Sequence, residues 1–151
     1  MIIEMKKFLG IFLAIGLIST IGFVAFADRN ISSNELPGEA KAFINKHYAG
    51  VTIYECEIDD MEYNLELSNG VDLEFNRNGK LVKIEADHGV IAQSVLKAIL
   101  PAKALQHLTA QGLADRVDDV EFRRNSIVVD INNSHDHEIR FNLDGSLKGH
   151  R

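Results

Sequence analysis

The sequence predicts an α+β fold of two tandem repeats, each with an N-terminal helical part packed on an antiparallel four-stranded meander sheet. Two Leu-Pro pairs, at residues 36–37 and 100–101, lie 64 residues apart, and apolar residues at helical spacing follow each pair. Two similar hairpin sequences, FNRNGKL at 75–81 and FNLDGSL at 141–147, lie 66 residues apart. Between helix and hairpin, apolar and polar residues alternate with the period of a half-buried strand. The sequence leaves open whether the two repeats share one sheet.

The N-terminal segment, residues 1–27, is typical of a bacterial export signal. Lys6 and Lys7 precede an uncharged apolar run over residues 8–24, and a small-x-small cleavage sequence ends at Ala27. We therefore expect cleavage at this point and a periplasmic or secreted mature protein. About 20 apolar residues also suffice to span a bilayer, so an uncleaved anchor is the alternative. Any membrane contact is expected through this segment alone.

Composition and motif content argue against several classes of function. Without residues 1–27 the chain has 14 basic and 21 acidic residues, a net charge of −7, which argues against a nucleic-acid partner. Cys56 is the single cysteine and lies between Glu55 and Glu57, so we expect a small buried hydrophobic residue and neither a disulfide nor a nucleophile. Motifs for nucleophilic, zinc-dependent or phosphate-binding chemistry are absent from the sequence. We therefore expect no enzymatic activity and no cofactor.

The first repeat is expected over residues 36–87, after a loose polar leader at 28–35. Its helix begins near Pro37, which suits a first helical turn, and ends at Gly50. Four strands should follow, separated by turns at Asp59-Asp60, Ser68 to Gly70 and Asn76 to Gly79. The fourth strand is expected at Leu81 to Ile84. The residues expected to be buried are Ala40, Phe43, Ile44 and Tyr48 on the helix, and Tyr54, Cys56, Ile58, Tyr63, Leu65, Leu67, Val71, Leu73 and Phe75 on the first three strands.

The second repeat is expected over residues 88–151 and begins with a helix–turn–helix. Apolar pairs at helical spacing run from Val90 to Leu100, Pro101 interrupts them, and a second helix continues to Gly112. Strand patterns follow at 116–122, 127–131 and 137–142, with a weak last strand at Leu147.

One set of residues resembles a known family. The set combines the Leu-Pro pair, Phe43-Ile44, His47-Tyr48 and the pattern Tyr63-x-Leu65-x-Leu67-Ser68-Asn69-Gly70-x-x-Leu73-x-Phe75-x-x-x-Gly79. It resembles the PepSY-like, beta-lactamase-inhibitor-like exported bacterial proteins over most of residues 34–149. The second copy departs from the pattern at Gln111-Gly112 and at Ser134-His135-Asp136. The resemblance implies two α-plus-antiparallel-sheet repeats without enzymatic activity. It does not imply inhibition of a beta-lactamase, because fold does not fix function.

The leading candidate site is an acidic sheet face in the first repeat. Its carboxylates fall out of phase with the apolar rows, so they should share the solvent side, and an acidic hairpin tip adjoins them. We expect this face to dock an envelope or secreted protein, with an ordinary solvated sheet face as the alternative. The candidate partner-binding residues are Glu55, Glu57, Asp59, Asp60, Glu62, Glu66, Asp72 and Glu74.

The second candidate is a metal site at His135 and His137. On a strand these two imidazoles would face the same way and could ligate one divalent ion with a third group, for which His150 and Asp130 are possibilities. The alternative function is therefore periplasmic metal or small-ligand sensing. A polar hairpin end without a ligand is the simpler interpretation of the same pair.

Overall fold

The computed structural model describes residues 29–132 and 138–150, and this part contains three α-helices and nine β-strands. The helices are α1 (Gly38–His47), α2 (Gln93–Ile99) and α3 (Ala102–Ala110). The strands are β1 (Arg29–Asn30), β2 (Ile53–Asp59), β3 (Glu62–Leu67), β4 (Val71–Asn76), β5 (Leu81–Ala86), β6 (Val117–Arg123), β7 (Ser126–Ile131), β8 (Glu138–Phe141) and β9 (Leu147–His150). The export signal predicted for residues 1–27 lies outside the described residues.

All nine strands form one antiparallel sheet in chain order. The two repeats are joined where β5 pairs with β6, with Ile84 opposite Val120 at the centre of that junction. The predicted α+β class with an antiparallel sheet is confirmed, and the two halves share a single sheet. The predicted helix–turn–helix is also confirmed, because α2 and α3 flank Leu100-Pro101.

The core lies between the helices and one face of the sheet, here called the inner face. Its strand residues stand directly opposite one another from β2 to β8, so a single apolar row crosses both repeats. Buried helical residues such as Ala40, Leu96 and Leu108 belong to the same cluster. The apolar row consists of Cys56, Leu65, Leu73, Ile84, Val120, Val129 and Ile139. In the part of the chain that the structure describes, no helix is long and apolar enough to cross a membrane.

Each Leu-Pro pair positions a helix start against the hairpin turn of its own repeat. Gly79 has φ +84°, and a Cβ added to it would lie 2.8 Å from the Cβ of Pro37 and 2.9 Å from the backbone nitrogen of Ala40. Gly145 has φ +82°, and an added Cβ would lie 2.8 Å from the Cβ of Pro101 and 2.8 Å from the nitrogen of Ala104. Only glycine fits such a contact at positive φ. The duplicated sequence motifs therefore encode a duplicated contact.

A β-bulge places Tyr54 on the surface, so its predicted burial is wrong. The register between β2 and β3 shifts between Ile53 and Glu55, and Tyr54 is 75% exposed. Cys56, two residues further on, is buried as predicted. The second repeat has a bulge at the equivalent place, between Val117 and Asp119 of β6. A bulge inserts one residue and reverses the inside–outside alternation locally, which strand period alone does not reveal.

The leader predicted for residues 28–35 contains regular structure in its described part. Arg29 and Asn30 form β1 and pair with β2 at the sheet edge. A 3-10 turn at Ser33–Glu35 follows and is closed by a capping box, in which the Ser32 side chain accepts from the Asn34 N–H and the Glu35 carboxylate accepts from the Ser32 N–H at 2.9 Å.

Candidate functional site

Carboxylates form one row across the outer face, the sheet face that carries the polar side chains. From β2 to β8, each acidic residue of the row stands directly opposite the acidic residue of the next strand. Like charges directly opposite each other destabilise a sheet, so a row of one sign is not what sheet stability favours. We call this feature the acidic row, and it consists of Glu55, Glu66, Asp72, Glu85, Asp119, Asp130 and Glu138.

The environment of the acidic row disfavours the charged form of several members. Partial burial, together with the nearby carboxylates of Asp87, Glu66 and Glu85, raises the pKa of Asp72 to about 6. Burial also raises the pKa of Asp119 to about 6, although its carboxylate lies 3.2 Å from the Lys83 ammonium. Ionisation of these carboxylates at neutral pH therefore lowers the free energy of unfolding.

The cations of the outer face are concentrated on the later strands. Lys83 on β5 lies 2.5 Å from Glu85 as well as near Asp119. In the second repeat Arg123 pairs with Glu121 at 2.6 Å, and Arg140 pairs with Glu138. Strands β2, β3 and β4 carry no lysine or arginine at all. The outer face of β2, β3 and β4 therefore carries carboxylates and amides without a lysine or arginine of its own.

Five of the predicted partner-binding residues come together in this first-repeat half. They line a shallow depression of about 120 Å³ that also includes Asn64. Burial raises the pKa of Glu74 on β4, and the neighbouring Lys83 partly offsets that effect. We call this surface the acidic depression, and its predicted members are Glu55, Glu57, Glu66, Asp72 and Glu74.

The remaining predicted residues lie at the β2–β3 hairpin. Asp59 pairs with Glu62 at the strand ends, and Asp60 lies in the two-residue turn with Met61. Asp60 has φ 43° and Met61 has φ 73°, the positive values that a tight hairpin of this kind requires. They extend the acidic surface along the strands but do not line the depression.

Four members of the acidic row were not predicted as partner-binding residues: Glu85, Asp119, Asp130 and Glu138. Asp119 and Asp130 face each other across β6 and β7, and Glu85 faces Asp119 across the junction of the repeats. The alternation of apolar and polar residues within each strand indicates that these four side chains lie on the outer face. It does not reveal that β5 pairs with β6, and this pairing joins the two halves of the row.

The predicted metal pair, His135 and His137, lies outside the described residues. In the ranges 29–132 and 138–150, no three His, Cys, Asp or Glu side chains are grouped so that they could hold a metal ion. Cys56 is a free, buried thiol whose pKa is raised by burial and, to a smaller extent, by the Glu35 carboxylate. A raised pKa keeps the thiol protonated and poorly nucleophilic, in agreement with its predicted role.

Sequence comparison places the chain in a family. A sequence model of the family described as "Putative beta-lactamase-inhibitor-like, PepSY-like" matches residues 25–83 and again residues 90–149. The chain belongs to the PepSY-like family. The predicted resemblance is therefore confirmed, and two successive matches fit a protein of two repeats. No match was found among the curated proteins.

Solved structures share the fold of this PepSY-like protein. A "putative periplasmic protein" of the DUF2874 family from Bacteroides vulgatus is 22% identical, with a TM-score of 0.69 over 83% of this chain and 97% of that one. A second B. vulgatus protein, a "putative periplasmic protein of unknown function", is 21% identical, with a TM-score of 0.68 over 81% of this chain and 97% of that one. A "putative calcium-regulated periplasmic protein" from Bacteroides thetaiotaomicron is 20% identical, with a TM-score of 0.68 over 81% of this chain and 94% of that one. At this level of identity the similarity establishes the fold alone.

Proposed function

We propose that this PepSY-like protein is an exported, non-enzymatic protein-binding module of the bacterial envelope that docks a basic partner on its outer sheet face. The observation that carries the proposal is the acidic row, a line of carboxylates across seven consecutive strands. The acidic depression is the part of this face where docking is expected to be tightest, because it has no cation of its own on β2, β3 or β4.

The electrostatics support a basic partner. Glu55, Glu66 and Asp72 form no ion pair within the described chain, and the charge of Lys83 offsets only part of the repulsion that acts on Asp72. Lysine or arginine side chains of a partner would supply the missing opposite charge. Complementary charge also steers the encounter and makes association sensitive to salt. An ordinary solvated sheet face is better served by charges of mixed sign, as in the second repeat.

Export and repeat organisation belong to the same proposal. The signal-like residues 1–27 would be removed, and residues 36–87 and 88–151 would act as two copies of one helix-plus-meander unit after the leader at 28–35. The periplasmic descriptions of the structural relatives support an envelope location. The family description supports an inhibitor-like role as the narrower form of protein binding.

Capture from an envelope extract of the source cell, read by mass spectrometry, tests the proposal. The bait is the purified protein, compared with the double charge reversal Glu55→Lys/Glu66→Lys, whose two exposed side chains pair directly across β2 and β3. The control is Glu39→Lys/Asp115→Lys, which makes the same change in net charge at exposed positions outside the acidic row. We expect one salt-sensitive protein to be captured by the unaltered bait and the control but lost from the acidic-face variant.

Other outcomes contradict specific parts of the proposal. Equal capture by all three baits would overturn the acidic face as the docking surface. Absence of any enriched protein, with the bait shown to be folded, would overturn the protein-binding function itself. If the captured partner is an enzyme, unchanged activity in the saturated complex would exclude the inhibitor-like role while leaving the docking function intact.

A further inference from the structure

An open groove of about 400 Å³ lies on the opposite side of the molecule from the acidic row. It is bounded by the C-terminal halves of α1 and α2 and by the inner-face ends of β5 and β6, so it lies where the two repeats meet. Both repeats contribute to it, and within residues 29–37 no α-helix corresponds to α2. The lining residues are Ala42, Phe43, Lys46, His47, Lys80, Leu81, Ala98, Ile99 and Phe122.

The floor of the groove is apolar. Phe43, Leu81, Ile99 and Phe122 pack against the core on one side and remain partly exposed on the other. The Phe43 ring is held by an edge-to-face contact with the buried Phe75 ring at 5.7 Å. These side chains are thus fixed by the core, and the groove is formed before any ligand arrives.

The rim of the groove is basic. Lys46 and Lys80 are exposed, and within the described chain neither forms an ion pair. The His47 ring contacts the Phe43 ring in a tilted arrangement with centroids 4.7 Å apart, and burial together with the Lys46 charge lowers the pKa of its imidazole. The lining contains no aspartate or glutamate, in a chain whose net charge is −6. A basic rim without a carboxylate leaves a place for an anion.

We propose that this groove binds an aliphatic carboxylate, a medium-chain fatty-acid anion whose tail lies on the apolar floor and whose carboxylate is held by Lys46 and Lys80. Its volume lies within the range of about 300–1,000 Å³ that small-molecule sites occupy. A peptide strand does not suit the groove, because β5 and β6 pair with each other and leave no free backbone edge there. This site is separate from the proposed protein-docking face and does not depend on it.

Calorimetric titration of the purified protein with sodium dodecanoate below its micellar concentration tests this site. Dodecyltrimethylammonium, which has the same tail and the opposite charge, serves as the ligand control. We expect saturable binding of dodecanoate at one site per chain and at least about tenfold weaker binding of the cation, which corresponds to about 1.4 kcal/mol. Equal binding of both ligands would show adsorption through the tail alone and would overturn the proposal, as would no saturable binding of dodecanoate.

Two variants connect the binding to the groove. Lys46→Glu/Lys80→Glu should weaken dodecanoate binding at least about tenfold, whereas the control Lys97→Glu/Lys148→Glu, which reverses two exposed lysines outside the lining, should change it less than about twofold. Ala98→Trp should abolish binding by filling the groove, and since Ala98 is exposed on α2 the fold should tolerate the change. Binding that survives Ala98→Trp in the folded protein would contradict the site.

Discussion

The two repeats are alike where they fold and unlike where they face solvent. In the first, Phe43 meets the buried Phe75 ring edge-on at 5.7 Å, and in the second His107 meets the buried Phe141 ring edge-on at the same distance. On the outer face the correspondence ends. Glu74 of β4 has Arg140 of β8 as its counterpart, and Arg140 pairs with Glu138. The shared contacts identify what the fold needs, and the differences identify residues that the fold leaves available for function.

The helix side of the molecule likewise combines a contact that both repeats share with features that only one repeat has. Each repeat has the contact between its Leu-Pro helix start and its hairpin glycine. In the described residues the second repeat alone has an α-helix, α2, before its Leu-Pro pair, and the first alone has the basic pair Lys46-His47 at its helix end, where Gln111 stands in the second. The groove arises from these two departures, because α2 and the end of α1 form its walls.

The largest expected effect concerns the contact between the hairpin glycine and the helix start, which both repeats share. Gly79→Ala and Gly145→Ala should each destabilise the protein by about 3 kcal/mol, from about 1–2 kcal/mol of backbone strain at positive φ together with the clash of the new Cβ against a helix start. The two losses should be equal within about 1 kcal/mol, because the distances in the two repeats are nearly the same. Urea denaturation followed by circular dichroism measures both.

Gly50 and Gly112 are the matched controls for this prediction. Both have positive φ, +79° and +66°, but an added Cβ at either position meets nothing within 4 Å. Gly50→Ala and Gly112→Ala should therefore cost only the strain, about 1–2 kcal/mol. If the hairpin glycines cost no more than these controls, the helix–hairpin contact does not stabilise the fold.

A smaller effect concerns one carboxylate of raised pKa on the outer face of each repeat. Asp72 has a folded pKa of about 6, above its ordinary value of 3.8, so the folded protein binds this proton more tightly than the unfolded chain does. The resulting destabilisation is absent below about pH 4 and fully present above about pH 6. Asp72→Asn should stabilise the protein at pH 7 by about 1 kcal/mol, a figure reduced for solvent screening, and should flatten the dependence of stability on pH.

Asp119→Asn supplies the comparison. The pKa of Asp119 is also raised to about 6, but its carboxylate lies 3.2 Å from Lys83. The raised pKa is the net result of burial and this attraction, so Asp119→Asn should stabilise the protein at pH 7 by about as much as Asp72→Asn, about 1 kcal/mol after screening. Thermal unfolding between pH 4.5 and pH 7 compares the two. A clearly smaller gain for Asp119→Asn would mean that Lys83 compensates the charge of Asp119 more fully than the pKa indicates.

The sequence was sufficient to predict features with a local cause. The α1 stripe, the Leu-Pro helix starts and the hairpin glycines follow from spacing and backbone preference, and the acidic residues of the first repeat were placed on one face by period alone. Features that depend on contacts distant in sequence were not predicted. The pairing of Ile84 with Val120 joins the sheet and completes the acidic row, and the groove requires α2 and α1 to meet across that junction.

The smallest expected effect concerns Tyr54, whose burial was wrongly predicted from the period of the strand. Tyr54 shares the apolar phase of Cys56 and Ile58, yet the bulge after Ile53 leaves its side chain 75% exposed. Tyr54→Ser should therefore change the free energy of unfolding by no more than about 0.5 kcal/mol, the range of ordinary surface substitutions.

Tyr48→Ser is the counterpart for Tyr54→Ser, because the Tyr48 ring is 7% exposed and its burial raises the pKa of its hydroxyl to about 12. Loss of a buried aromatic ring costs about 3–5 kcal/mol, so the two serine variants should differ several-fold in urea denaturation. A loss at Tyr54 comparable to that at Tyr48 would place the Tyr54 ring in the core and remove the bulge. Without the bulge Tyr54 would stand opposite Leu67 in place of Ile53, while Glu55 would stay opposite Glu66, so this comparison tests the bulge and leaves the acidic row unchanged.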